Sequence, residues 1–250
     1  MRGVILAAGR GSRLGHLTDD RPKCLVSLVG APLLDWQRLA LASAGVDELA
    51  VVAGYRSEQL ADGPWTTVLA PRWKDTTMVG SLCAASDWIR AAPCIVAYGD
   101  IVFNAETVER LISSSGDIAI AYDPDWRDLW ELRFEYPLDD AECFRVAGGS
   151  VLEIGGRASA VAEIDGQYMG LLRFTPAGWS AVEVRLRSLP DRRRRQLDMT
   201  GLLQLLIDTE QPVMAVPAAP GWCEIDSDSD LLICESLVEM GEIPHRVRSS

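Results

Sequence analysis

Gly9 and Gly11, followed by Arg13 and ten residues later by Lys23, form the densest run of potential chemistry in this 250-residue chain. The stretch reads Leu6-Ala7-Ala8-Gly9-Arg10-Gly11-Ser12-Arg13-Leu14 and continues to Arg21-Pro22-Lys23-Cys24-Leu25-Val26. Glycines directly after an apolar strand let backbone N–H groups approach an anion with no Cβ in the way. Two cations converging on such a nest suit a triphosphate or a pyrophosphate. The dinucleotide fingerprint is excluded, because its third glycine would fall where Leu14 stands, and no Gly-Lys-Ser/Thr follows to make a P-loop. Two carboxylates stand at comparable places further on. Asp100 follows Cys94–Tyr98 and Gly99, and Asp226 closes the run from Trp222 ahead of a helical pattern. Taken alone, each reads as a turn or cap residue.

The elements that must position these residues follow from periodicity. Buried-strand runs are expected at Val4–Ala7, Leu49–Ala53, Thr66–Leu69, Cys94–Tyr98 and Ile118–Tyr122. Helical patterns lie at Leu33–Ala44, Val79–Ile89 and Ala105–Ile112. That alternation predicts an α/β fold with a Rossmann-like, mostly parallel sheet covered on both faces. In the second half, Phe144–Val146 and Val151–Ile154 flank Gly148-Gly149 as a hairpin. Tyr168–Phe174, Val213–Val216 and Trp222–Ile225 read as strands, and Pro176–Leu186, Met199–Ile207 and Leu231–Met240 as helices. We expect a single domain over 1–250, with a small β-rich lid over roughly 123–175 and fraying after Pro244.

Composition narrows the function. The chain is 48% hydrophobic and carries 36 Asp+Glu against 24 Lys+Arg, a net charge of −12. A field of that sign repels nucleic acid and anionic membranes, and no apolar run reaches a membrane span. A signal peptide would need a longer apolar stretch than Val4–Ala8, so a cytoplasmic location is expected. The six cysteines, at 24, 83, 94, 143, 223 and 234, contain no C-x-x-C pair and are expected to be reduced thiols. With only His16 and His245, zinc chemistry is not expected. The run Arg192–Arg195 after Pro190 reads as a solvated connection between helices.

The string L-A-A-G-x-G-S-R-L with a P-K-x-L about ten residues on resembles the signature of the sugar-nucleotidyltransferase-like family, whose members transfer a nucleoside monophosphate from an NTP to a phosphate or phosphonate oxygen. The resemblance implies that Arg13 and Lys23 bind and activate the phosphates. It places Leu6, Ala7, Ala8, Gly9, Gly11 and Ser12 around the nucleotide, with Ser81 near the base. It also implies that Asp100 and Asp226 hold Mg²⁺, an ion that takes one or two carboxylates plus substrate phosphates. A phosphate or phosphonate nucleophile is already ionised at neutral pH. No general base is required, and the chemistry reduces to alignment and charge neutralisation.

The middle of the chain is similar to the cytidylyltransferase branch associated with phosphoenolpyruvate phosphonomutases, with phosphocholine cytidylyltransferases as cousins. The residues that carry this are Tyr122-Asp123-Pro124-Asp125-Trp126-Arg127-Asp128-Leu129-Trp130-Glu131-Leu132-Arg133-Phe134, Asp140-Ala141-Glu142-Cys143-Phe144, Gln167-Tyr168-Met169-Gly170-Leu171-Leu172, Met78-Val79-Gly80-Ser81-Leu82 and Leu197-Asp198-Met199-Thr200. The resemblance implies CTP as donor and a small phosphonate as acceptor, with phosphocholine, another phosphoalcohol or a sugar 1-phosphate as alternatives. A silent nucleotide-binding subunit is the reading from another class. Trp130 is expected against the acceptor's head group and Arg127 or Arg133 on its phosphonate. Tyr168, Asp198, Thr200 and Glu224 complete the candidate acceptor site. Thr200 stands where the phosphocholine enzymes carry an aromatic, which favours a smaller acceptor. Apolar surface near the lid makes a homodimer unsurprising.

Overall fold

A computed structural model of the chain describes residues 1–243, so the expectation for the segment after Pro244 lies outside the described residues. In chain order the strands are β1 (Arg2–Ala7), β2 (Ser27–Leu28), β3 (Ala31–Pro32), β4 (Glu48–Ala53), β5 (Thr66–Leu69), β6 (Cys94–Tyr98), β7 (Ile101–Val102), β8 (Ile118–Asp123), β9 (Glu142–Ala147), β10 (Ser150–Arg157), β11 (Gln167–Phe174), β12 (Met214–Pro217) and β13 (Cys223–Glu224). The helices are α1 (Leu33–Ser43), α2 (Met78–Ala84), α3 (Ser86–Ala91), α4 (Ala105–Ser113), α5 (Trp126–Arg133), α6 (Pro176–Ser188), α7 (Asp191–Gln196), α8 (Met199–Asp208) and α9 (Asp228–Glu239).

Nine strands make one sheet in the order β5-β4-β1-β6-β11-β8-β12-β10-β9. Only β10 and β11 run against the rest, so the expected mostly parallel sheet is present. Period-2 alternation splits the apolar run of β1 between two cores. Ile5 and Ala7 pack with α1, α4, α5 and α9 on one face, while Val4 and Leu6 pack with α2, α3, α6 and α8 on the other. Both faces are therefore dry, which is why β1 carries no alternating polar residue after Gly3.

The structure departs from the expected elements in three places. The helix expected over Val79–Ile89 breaks at Ala85, where the Ser86 hydroxyl donates to the Cys83 carbonyl at 2.7 Å and competes with the helical ladder. The segment 123–175 does not stand apart as a lid. Its strands β9 and β10 extend the sheet at one end, and β11 is inserted at the centre between β6 and β8. Its first part forms α5, whose Trp126, Leu129 and Trp130 fall at helical spacing on a buried face. The cysteines need a correction as well. Cys223 and Cys234 form a disulfide between β13 and α9, with Cα atoms 6.2 Å apart, within normal reach for the bond. Cys24, Cys83, Cys94 and Cys143 are free thiols. Among the described residues, no helix is long and apolar enough to cross a membrane.

Candidate active site

β1 and β6 run parallel and in register, Leu6 opposite Tyr98, so the loops that leave their C-terminal ends emerge side by side. One carries the glycines and Arg13, the other Gly99 and Asp100. The two chains touch closely here. A Cβ on Gly99 would sit 2.8 Å from the Leu6 carbonyl oxygen, so only glycine fits. Asp226 is delivered by a separate device. β13 pairs antiparallel with β7, and Ile225 N–H donates to the Asp100 carbonyl at 3.0 Å, which brings the two aspartates together across more than a hundred residues. Gln37, wholly buried on α1, donates to the carbonyls of Tyr98 and Ile101 at 2.7 and 2.6 Å and braces the turn that presents Asp100.

Lys23 lies between the two carboxylates. Its Nζ is 2.8 Å from Asp100 Oδ2 and 2.5 Å from Asp226 Oδ1. Burial works against the ammonium, but the two aspartates outweigh it and hold its pKa above the ordinary lysine value. Its aliphatic stem runs over Gly11, whose φ is +71° and where an added Cβ would meet the Lys23 Cβ and Cδ at 2.8 Å. That contact and the left-handed backbone both require glycine. Arg13, largely exposed, reaches Asp226 Oδ2 at 3.0 Å. Leu6, Ala7, Gly9, Gly11, Arg13, Lys23, Asp100 and Asp226 line one cleft of about 150 Å³, together with Met78 at the start of α2.

Glu224 joins the aspartates. One oxygen each from Asp100, Glu224 and Asp226 lies within 4.8 Å of the others. Burial, with Asp226 and Asp100 close by, pushes Glu224 up to about 8, against the pull of Arg133 and Lys23. Asp100 Oδ1 is buried with no hydrogen-bond partner. An all-oxygen donor set with an orphaned carboxylate oxygen fits a hard divalent cation such as Mg²⁺.

The remaining predicted site residues divide. Ala8 is buried at the strand end, and Ser12 is exposed in the loop and does not line the cleft. Ser81 is buried on α2, one turn beyond Met78. Tyr168 packs edge-on against Tyr98, ring centroids 5.8 Å apart. Asp198 caps α8 by accepting from Gly201 N–H at 2.8 Å, and Thr200 lies against Gly155 of β10. Trp130 is only 4% exposed. Its ring is packed among Trp126, Phe134 and Trp222, and its Nε1 donates to Asp140 at 3.1 Å. It offers no open aromatic wall. Arg127 is exposed and pairs with Glu131 on its own helix at 2.6 Å. The Arg133 side chain is 2% exposed and bound to Glu224 and Asp230. Arg194 and Arg195 of the basic run pair with Asp191 on the short exposed helix α7.

Sequence reasoning missed Gln37, Asp230 and Glu142. A polar residue inside the apolar face of α1 was a signal for the first, and Ser227-x-x-Asp230 is a capping pattern for the second. Glu142 lies in a stretch that carries the family resemblance, but nothing in its own pattern assigns it a role. Burial, with Asp198 and Asp140 nearby, pushes its carboxyl up to about 7.

A glycine loop, two cations and paired carboxylates over adjoining strand ends define a nucleotide-binding α/β transferase. The chain belongs to the family of proteins with a MobA-like NTP transferase domain, whose model matches residues 3–199, and it is a nucleotidyltransferase. It is 35% identical over 247 residues to a CTP:phosphoglutamine cytidylyltransferase of Campylobacter jejuni, a match covering 92% of this chain and 98% of that one. A 2-aminoethylphosphonate cytidylyltransferase of Lancefieldella rimae is 32% identical over 110 residues, covering 42% of this chain and 45% of that one. The solved inositol-1-phosphate CTP transferase of T. maritima shares the fold, with a TM-score of 0.76 at 21% identity over 96% of each chain.

Proposed function

We propose that this enzyme transfers a cytidylyl group from CTP to a small phosphorylated acceptor bearing an amino group, of the phosphoglutamine or 2-aminoethylphosphonate kind. The observation that carries the transfer is the convergence of Gly11, Arg13, Lys23, Asp100 and Asp226 in one cleft. CTP as donor is supported by the near-full-length similarity to a named cytidylyltransferase. An amino-bearing acceptor is supported by the acidic surroundings. Asp198 and Asp140 both act on Glu142, and Glu142 in turn acts on Tyr98 and Tyr168 beside the metal-type carboxylates. The burial of Trp130 weighs against the aromatic enclosure that a quaternary ammonium favours.

An ionised phosphoryl oxygen of the acceptor attacks the α-phosphorus. A new P–O bond forms, the bond from that phosphorus to the pyrophosphate oxygen breaks, and pyrophosphate leaves with the electron pair. No proton has to move, which agrees with a cleft whose lining holds no histidine among the described residues. Arg13 and Lys23 supply positive charge where negative charge accumulates, in a partly buried cleft where each cation is worth more than in water. The glycine-loop backbone orients the triphosphate. A divalent ion held by Asp100, Asp226 and Glu224 would supply further charge neutralisation on the triphosphate.

Pyrophosphate release tests the reading, with Mg²⁺, each of the four NTPs, and phosphoglutamine, 2-aminoethylphosphonate, phosphocholine and glucose 1-phosphate. Turnover with CTP and an amino-bearing acceptor is expected. Turnover confined to glucose 1-phosphate, or to a purine triphosphate, would overturn it.

A further inference from the structure

Arg133 stands in α5 at the end of a stretch with no residue in the nucleotide cleft, yet its guanidinium is the most enclosed cation near the site. Its side chain is 2% exposed. Nε donates to Asp230 Oδ1 at 2.9 Å and Nη1 to Glu224 Oε2 at 3.2 Å. The rings of Trp130 and Phe134 lie 5.3 and 5.0 Å from its central carbon. A group so committed has no free face to offer an acceptor.

What Asp230 does with its other oxygen gives Arg133 its meaning. Asp230 Oδ2 accepts the backbone N–H of Asp226 at 3.0 Å, that of Ser227 at 2.9 Å and the Ser227 hydroxyl at 2.9 Å. One carboxylate therefore grips the backbone of Asp226 and is itself gripped by Arg133, and the same arginine holds the side chain of Glu224. Two of the three clustered carboxylates are set in place by one residue from a different part of the chain.

We infer that Arg133 is a positioning residue for the divalent-ion site. Through Asp230 and Glu224 it holds the loop from 224 to 230 so that Glu224 and Asp226 face Asp100. Lys23 gathers Asp100 and Asp226 from the other side. Without Arg133 and Asp230, however, the backbone at Asp226 and the side chain of Glu224 would lose these holds, and the ion would have to meet the cost of ordering them. Outer-shell partners of this kind typically change metal affinity about 10- to 100-fold when removed. The inference rests on the reading of Asp100, Glu224 and Asp226 as ion ligands, and the test separates the two.

The full chain would be titrated with Mn²⁺ alone, without nucleotide, following the free ion by electron paramagnetic resonance. Wild type, Arg133→Met, Arg133→Lys, Asp230→Asn and the Arg133→Met/Asp230→Asn double variant would be compared. One Mn²⁺ site is expected in wild type, weakened about 10- to 100-fold in Arg133→Met and Asp230→Asn. Arg133→Lys should recover part of the loss. The double variant should be no worse than the weaker single one, because both changes break the same connection. In turnover, kcat at limiting Mg²⁺ should fall and be largely restored by excess Mg²⁺, with the acceptor KM little changed. Wild-type Mn²⁺ affinity in Arg133→Met, with the acceptor KM raised tenfold or more, would overturn the inference and place Arg133 on the acceptor. No Mn²⁺ site in wild type would instead remove the reading of the carboxylates. If circular dichroism finds Arg133→Met unfolded, Asp230→Asn alone decides, and unchanged affinity there overturns the inference.

Discussion

Lys23 and Asp226 are 203 positions apart in the chain, and their charged atoms meet at 2.5 Å. The same ammonium touches Asp100 at 2.8 Å. A protein cation thus stands between two of the carboxylates that would hold a metal ion, and the enclosure of all three groups makes each dependent on the others.

Replacing Lys23 by Met should lower kcat/KM about 10²- to 10³-fold, the usual cost of one preorganised charge at a developing anion. It should also leave Asp100 facing Asp226 with only the exposed Arg13 to compensate them, and so lower the melting temperature. Mg²⁺ should then stabilise Lys23→Met more than wild type, since the ion binds where the lysine no longer competes. Thermal melts with and without Mg²⁺ check this, and equal Mg²⁺ shifts in both proteins would refute it.

Asp100→Asn and Asp226→Asn should each abolish turnover at ordinary Mg²⁺ concentrations while leaving the fold intact. Asp226 is the more exacting position, because it also anchors Arg13 at 3.0 Å. Steady-state rates over a wide range of Mg²⁺ should show a raised metal requirement for both, and an unchanged requirement would count against the ion site.

Glu142 carries a pH dependence whose sign follows from its environment. Burial and the neighbouring Asp198 and Asp140 raise its carboxyl from 4.5 to about 7 in the folded protein. The native state therefore binds its proton more tightly than the unfolded chain does. That contribution to stability is fully present below pH 4.5 and is lost as pH rises through about 7. Glu142→Gln should match wild type at the acid end and become the more stable protein above neutrality. Melting temperatures from pH 4.5 to 8.5 would expose a constant gap if the idea is wrong.

Trp130→Ala should act on the fold. Its ring is buried among three other aromatic side chains, and emptying such a site costs about 3–5 kcal/mol. Urea unfolding should register that loss, whereas Trp130→Phe should keep most of the stability and the acceptor KM. A raised acceptor KM in a stable Trp130→Phe variant would return the residue to the acceptor site.

The Cys223–Cys234 disulfide closes a loop with a sequence separation of 11. A loop of that size is worth about 3 kcal/mol on the chain-entropy account. Unfolding free energies from denaturant titrations with and without reductant should differ by that amount in wild type and not at all in Cys234→Ser.

Much of this protein was legible from local pattern. Val4–Ala7 and Cys94–Tyr98 are apolar throughout because the strands they form are buried on both faces, and that signature survives without knowledge of their neighbours. The glycine loop was legible for a similar reason. Gly9, Gly11, Arg13 and Lys23 lie within fifteen residues of one another, so their joint chemistry is a property of a short segment. Asp100 and Asp226 could be chosen because each follows a strand end, the edge at which an open α/β sheet binds its ligands.

What depended on distant segments meeting was decided only by the tertiary structure. The apolar character of Tyr168–Phe174 marks a strand but not its place, and β11 came to the centre of the sheet, running against its neighbours. Trp130 reads equally well as an exposed aromatic wall or a core residue, and α5 packing under Trp222 made it core. Arg133 looks like any surface arginine until α5 meets α9 and finds Asp230. Cys223 and Cys234 carry no motif, and they bond because β13 and α9 fold back on each other. Local sequence limits which conformations a segment can adopt, but contacts between remote segments are set by how all the buried faces pack at once. In this chain that packing places Arg133 behind the carboxylates rather than in front of them.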